Sequence, residues 1–83
     1  MNTKLFVAGL DWAIDTEALK SIFGQYGTVV YGKVVVDDQR RSRGFGFVEM
    51  SSHEEAEACL NNLNGSTHGK RAIVVKWKED KPQ

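Results

Sequence analysis

The sequence predicts an α+β domain of order β-α-β-β-α-β, a four-stranded antiparallel sheet with two helices on one face. Three observations predict it. Short alternating or β-branched runs occur at residues 4–8, 28–38, 43–50 and 71–77. Residues 16–27 and 51–65 instead repeat apolar side chains at helical spacing. Glycine-rich or charged turns separate these stretches. A chain of 83 residues suits one small domain, expected over residues 1–78, with a flexible C-terminal tail over 79–83.

Each element has a local reason. In KLFVA, Leu5 and Val7 point one way while Lys4, Phe6 and Ala8 point the other. Residues 9–15 form a loop, and Asp15 is placed to cap the helix TEALKSIFGQYG by accepting from its first free amides. Leu19, Ile22, Phe23 and Tyr26 make its apolar face, and Gly27 stops it. TVVYGKVVVDD is a β-branched strand. Gly32, Val34 and Val36 share one of its faces, and Tyr31, Lys33 and Val35 the other. DDQRRSR is a charged turn, and RGFGFVEM the next strand. Ser52 and Glu55 make a capping-box pattern at the start of the second helix. Ala56, Cys59, Leu60 and Leu63 form its buried face, and Asn64 and Gly65 end it. STHGKR is a polar turn, and RAIVVKW the last strand.

This order is the split βαβ pattern of a ferredoxin-like domain. Two helices cover one side of a four-stranded sheet, so parity assigns the other side to solvent. Leu5, Val7, Val34, Val48, Met50, Ile73 and Val75 face the helices, with Gly44 and Gly46 allowing close approach there. Lys4, Phe6, Tyr31, Lys33, Val35, Phe45, Phe47, Glu49, Val74 and Lys76 lie on the open face. Inverting the sheet would bury Glu49 without a partner, which is costly.

Composition excludes several classes. Lys and Arg number 11 and Asp and Glu 11, so no global charge draws the chain to nucleic acid or membranes. Charge is nevertheless clustered, at Arg40, Arg41 and Arg43 and again along residues 70–83. No apolar run is long enough to span a membrane, and the N-terminus is not a signal peptide. The single cysteine, Cys59, cannot form an internal disulfide, which fits a reducing, cytoplasmic setting, or a nuclear one in a eukaryote. Neither a metal-ligand cluster nor a nucleophile beside a base is present. No cofactor and no enzymatic activity are expected. His53 and His68 are read as surface residues and Cys59 as core.

Three phenylalanines and a tyrosine on an open face need a partner. Rings interleaved with Lys and Arg suit single-stranded nucleic acid, because bases stack on rings and cations meet phosphates. RGFGFVEM resembles the octapeptide of the RNA recognition motif family, departing only at Met50, where the family has an aromatic. Met50 faces the core by parity, so packing changes more than binding. LFVAGL resembles the family's hexapeptide, with Phe6 at its aromatic position. The small neutral form is also similar to short single-domain members known from bacteria.

The resemblance implies that Phe6 and Phe47 stack under successive bases, that Phe45 inserts between their sugars, and that Arg43 meets the intervening phosphate. Lys4, Tyr31, Lys33, Lys76 and Lys78 are assigned as further contacts from parity and position, although Tyr31 reads equally as a shield for the sheet. Main-chain groups over Val75–Lys78 are candidates for reading base edges. Trp12 either packs on the domain or stacks on a base, with packing favoured, and Trp77 packs on the helix side. The expected partner is single-stranded RNA, or single-stranded DNA. The alternative is a protein-interaction module using the helix side or the sheet.

Overall fold

A computed structural model of the chain describes residues 2–39 and 41–78. Strand β1 spans Lys4–Ala8, helix α1 Thr16–Phe23, β2 Val29–Val36, β3 Ser42–Met50, and helix α2 His53–Leu63. Two short strands, β4 (Thr67–His68) and β5 (Arg71–Ala72), precede β6 (Val74–Trp77). The main sheet is antiparallel, in the order β2-β3-β1-β6. This is the predicted ferredoxin-like arrangement. The expected tail over 79–83 and Arg40 lie outside the described residues.

Both helices start where the sequence supplies an acceptor. The Asp15 carboxylate accepts from the Ala18 amide at 2.8 Å, and the Ser52 hydroxyl from the Glu55 amide at 3.2 Å. The capping box at α2 is only half formed. The Glu55 carboxylate turns outward, accepting from the Thr28 amide at 3.2 Å and bonding the Ser51 hydroxyl. It thereby ties α2 to the start of β2, and its side chain fills the space over Gly27, where a Cβ would meet it at 2.6 Å. Helix α1 ends at Phe23, four residues before the expected stop, with the Gly24 amide closing on the Lys20 carbonyl.

The core forms between the helices and one sheet face. Leu5, Val7, Val34, Val48, Met50, Ile73 and Val75 are all buried, as parity assigns them. They meet Leu19 and Phe23 of α1 and Ala56, Cys59 and Leu63 of α2. Burial pushes the Cys59 thiol up to about 11, with the Glu55 charge adding to the effect, so it stays a protonated core residue. Gly46 is required by its close neighbours. A Cβ there would lie 2.4 Å from the Lys33 carbonyl oxygen and 3.3 Å from a Leu19 methyl.

Three readings change. The pairing of β2 with β3 shifts register between Val34 and Val36, and Val36 is 47% exposed rather than on the face of Gly32 and Val34. Between these pairings β2 has one residue, Val35, and β3 has three, Arg43, Gly44 and Phe45, with Gly44 at φ +83°, so the regular pairing on which parity rests is interrupted. The polar connection after α2 is a small antiparallel hairpin, pairing Thr67 with Ala72 and His68 with Arg71 around Gly69. Gly69 has φ +72°, and the buried Asp11 carboxylate packs against it. His53 is half-buried and stacks on Trp77, with centroids 5.0 Å apart and planes 8° from parallel. Its Nδ1 lies 2.7 Å from the Asn2 carbonyl.

Candidate nucleic-acid interface

Strand register arranges the open face in rows. Lys33 of β2, Phe47 of β3, Phe6 of β1 and Lys76 of β6 are successive partners across the sheet. On one side of this row run Tyr31, Glu49 and Lys4, again paired in register. Lys78 extends that second row, since its amide donates to the Lys4 carbonyl at 3.0 Å. On the other side lie Phe45, Ala8 and Val74. Arg43 precedes Phe45 by two residues on the same strand.

The three phenylalanines stand together. Phe6 lies 5.8 Å from Phe45 and 5.7 Å from Phe47 by ring centroid, and Phe45 meets Phe47 at 6.2 Å, edge to face. These are favourable aromatic geometries. Each ring is half-buried. The Lys78 ammonium sits 5.6 Å above the centre of Phe47. That cation–π contact is modest in strength, so a stacking base can displace a flexible lysine chain.

The predicted site residues are thus brought together on one surface. Lys4, Phe6, Tyr31, Lys33, Phe45, Phe47 and Lys76 lie on the open face, with Lys78 at its margin and Arg43 further along β3. Tyr31 is 51% exposed. A shallow depression of about 320 Å3 forms between Lys4, Tyr31, Phe47, Val48, Glu49 and Lys78. Sequence reasoning placed Glu49 on this face without giving it a part in the site.

Neighbouring loops are organised by aspartates. Asp37 holds the β2–β3 turn, its Oδ1 accepting from the amides of Gln39 and Arg41 and its Oδ2 meeting the Arg41 guanidinium at 3.2 Å. These bonds, the Arg41 amide foremost, hold its carboxyl below the usual value. Arg41 is therefore already partnered, and Arg40 lies outside the described residues. Asp11 accepts from the amides of Ala13 at 3.0 Å and Lys70 at 2.9 Å, which lower its pKa in that order. It bolts the β1–α1 loop to the β4–β5 hairpin. Trp12, next to it, is 80% exposed, so the favoured packing reading does not hold.

Two further residues position the end of β6. The Asn2 side chain donates to the Lys78 carbonyl at 2.7 Å and accepts from the Lys4 amide at 2.9 Å. The same residue's carbonyl meets His53. No sequence signal announces a clamp spanning nearly the whole chain.

The RNA recognition motif pattern matches residues 5–74. The chain belongs to the RNA recognition motif family. Among curated relatives, it is 42% identical to 29 kDa ribonucleoprotein B, a chloroplast protein of Nicotiana sylvestris, over 99% of this chain and 28% of that one. It is 41% identical to the mitochondrial glycine-rich RNA-binding protein 2 of Arabidopsis thaliana, over 99% of this chain and 52% of that one. The chain thus spans between about a quarter and about half the length of these relatives. Among solved structures, the RNA-binding protein PG1 superposes with a TM-score of 0.90 at 32% identity, covering 98% of this chain and 99% of that one. One chain of a Sex-lethal protein–RNA complex superposes with a TM-score of 0.85 at 32% identity, over 92% of this chain and 47% of that one. The cytoplasmic expectation is corrected by these comparisons, because the curated relatives are proteins of chloroplasts and mitochondria. A lone cysteine has no partner for an internal disulfide in any compartment, so it does not distinguish the cytoplasm from an organelle.

Proposed function

We propose that the chain binds single-stranded RNA across its open sheet, without catalysis. One observation carries the reading. Three phenylalanine rings meet on the face that neither helix covers, within a ring of Lys4, Lys33, Lys76 and Lys78. Membership of the RNA recognition motif family and the RNA-bound relative support it.

Phe6 and Phe47 stack under successive bases, and Phe45 packs between their sugars. Arg43 meets the phosphate between them. Lys33 and Lys76 flank this row at opposite edges, and Lys4, Tyr31 and Lys78 line the next. The footprint is about two to four nucleotides. Stacking contributes roughly 1–3 kcal/mol per base, so a neutral domain can still bind measurably. Affinity falls as salt rises, with a shallow slope because few phosphates are paired.

A backbone amide NMR titration with a randomised pool of single-stranded RNA, about six to eight nucleotides long, tests the reading. Shifts centred on residues 4–8, 43–49 and 74–78 are expected. A silent sheet in a folded sample at low salt overturns it.

A further inference from the structure

Glu49 is the one acidic residue in the four strands of the main sheet, and it lies on the face proposed to meet a polyanion. A carboxylate there repels phosphate and lowers general affinity for RNA. Its surroundings give it a different use. It lies between Tyr31 and Lys4 in register, with the Thr3 hydroxyl 3.5 Å from its Oε2. It lines the depression that also holds Phe47, Lys4 and Lys78.

We infer that this depression selects guanine, with Glu49 as the residue that determines the choice. The inference rests on the proposed stacking of a base on Phe47. Residues two apart on a strand are separated by roughly 6.5–7 Å. That spacing matches the half-width of a base plus one hydrogen bond, so a base centred on Phe47 brings one edge to Glu49. A carboxylate at neutral pH offers acceptors only, and lysine donors only. The row therefore presents two acceptor oxygens flanked by ammonium donors. Guanine is the RNA base whose Watson–Crick edge complements it, with adjacent donors at N1 and N2 followed by the acceptor O6. N1–H and N2–H donate to the two Glu49 oxygens, and Lys4 or Lys78 donates to O6. Lys78 reaches that position by leaving the face of Phe47, which the incoming base occupies. Uracil sets O4 and O2 against the carboxylate and offers one donor between them. Cytosine and adenine each offer a single amino group beside an acceptor. For all three, at least one carboxylate oxygen loses water without gaining a donor.

The test is a set of anisotropy titrations with oligouridine hexamers, either unmodified or carrying one central guanosine, inosine, adenosine or cytidine. One bidentate pair should make the guanosine chain bind about tenfold to a hundredfold tighter than the all-uridine chain. Inosine keeps N1–H and O6 but lacks the N2 amine, so it should fall between. In Glu49→Gln the guanosine preference should vanish, while the all-uridine affinity should rise because the repelling charge is gone. If wild type binds every hexamer alike, or if Glu49→Gln tightens all of them equally, Glu49 only balances charge and the guanine inference falls while RNA binding stands. If folded wild type binds none of them, the RNA-binding reading fails, and this one with it.

Discussion

On the helix side of the sheet, Leu5, Val7, Val48 and Val75 are between 0% and 2% exposed. On the other side, Phe6, Phe45 and Phe47 are larger and just as apolar, yet each is only half-buried. The two sets alternate along the same strands. What separates them is which face the helices cover, and the aromatic face is held by its own ring pairs at 5.7–6.2 Å and by the Lys78 ammonium over Phe47. Burial on one side supplies stability, and incomplete burial on the other leaves a surface that a flat ligand can finish covering.

Neighbouring residues on β1 offer the sharpest way to break this contrast. Leu5→Ala should cost about 2–5 kcal/mol of folding stability, because it opens a cavity in a packed core. Phe6→Ala should cost only about 0.5–1.5 kcal/mol for each of the ring pairs it breaks, yet weaken RNA binding by about 1–3 kcal/mol. Urea unfolding and RNA titration on both variants measure the pair. A Phe6→Ala domain that unfolds as readily as Leu5→Ala would mean the open face is core after all. Phe47→Ala should behave like Phe6→Ala.

Gly46→Ala probes the boundary between the faces. Its new methyl would be forced against the Lys33 carbonyl oxygen, a backbone atom that cannot rotate away. Strand β2 must shift, at a cost of about 1–3 kcal/mol, read by chemical denaturation. Because Lys33 is pulled along with its carbonyl, some RNA affinity should go as well.

Most of this contrast was legible in the sequence, because strand parity needs only a period of two and holds wherever pairing is regular. It succeeded for Leu5 against Phe6 and for Phe47 against Val48. It failed at Val36, beside an irregularity of β3 around Gly44, whose φ of +83° a period of two does not register. Pairings between distant segments were equally hidden. The clamp of Asn2 on Lys78 and the stack of His53 on Trp77 depend on where chain ends meet after folding. His53 offered only its position at a helix start, where a surface role is the simpler expectation.

A smaller effect concerns the edge of the sheet. In the folded chain the amides of Ala13 and Lys70 hold the Asp11 carboxyl below its ordinary value of 3.8. A group depressed in this way contributes its full stabilisation above the unfolded value and loses it as pH falls through the folded one. The melting temperature of wild type should therefore exceed that of Asp11→Asn near neutrality, and the gap should close as pH drops below about 3.8. A gap independent of pH would mean that shape, rather than charge, ties the loop to the hairpin.

The smallest expected effect on stability separates exposure from function. Trp12 is the most exposed large apolar side chain among the described residues, at 80%, yet it lies in a loop outside the aromatic trio. The loop's backbone is held by Asp11 on one side and by the bond from the Leu10 amide to the Gly44 carbonyl on the other. The indole itself is therefore spare. Trp12→Ala should change stability by less than about 0.5 kcal/mol, as surface substitutions usually do. It should also weaken RNA binding less than Phe47→Ala, because Phe47 is ringed by Phe6, Lys33 and Lys78 while Trp12 sits apart from them. In a Trp77→Phe background, Trp12 is the only tryptophan left, and its emission reports the same contrast. Slight quenching by RNA fits a ring beside the path of the strand. Strong quenching, with a loss of affinity equal to that of Phe47→Ala, would extend the binding surface off the sheet and make exposure, rather than place on the sheet, the property that marks a binding ring.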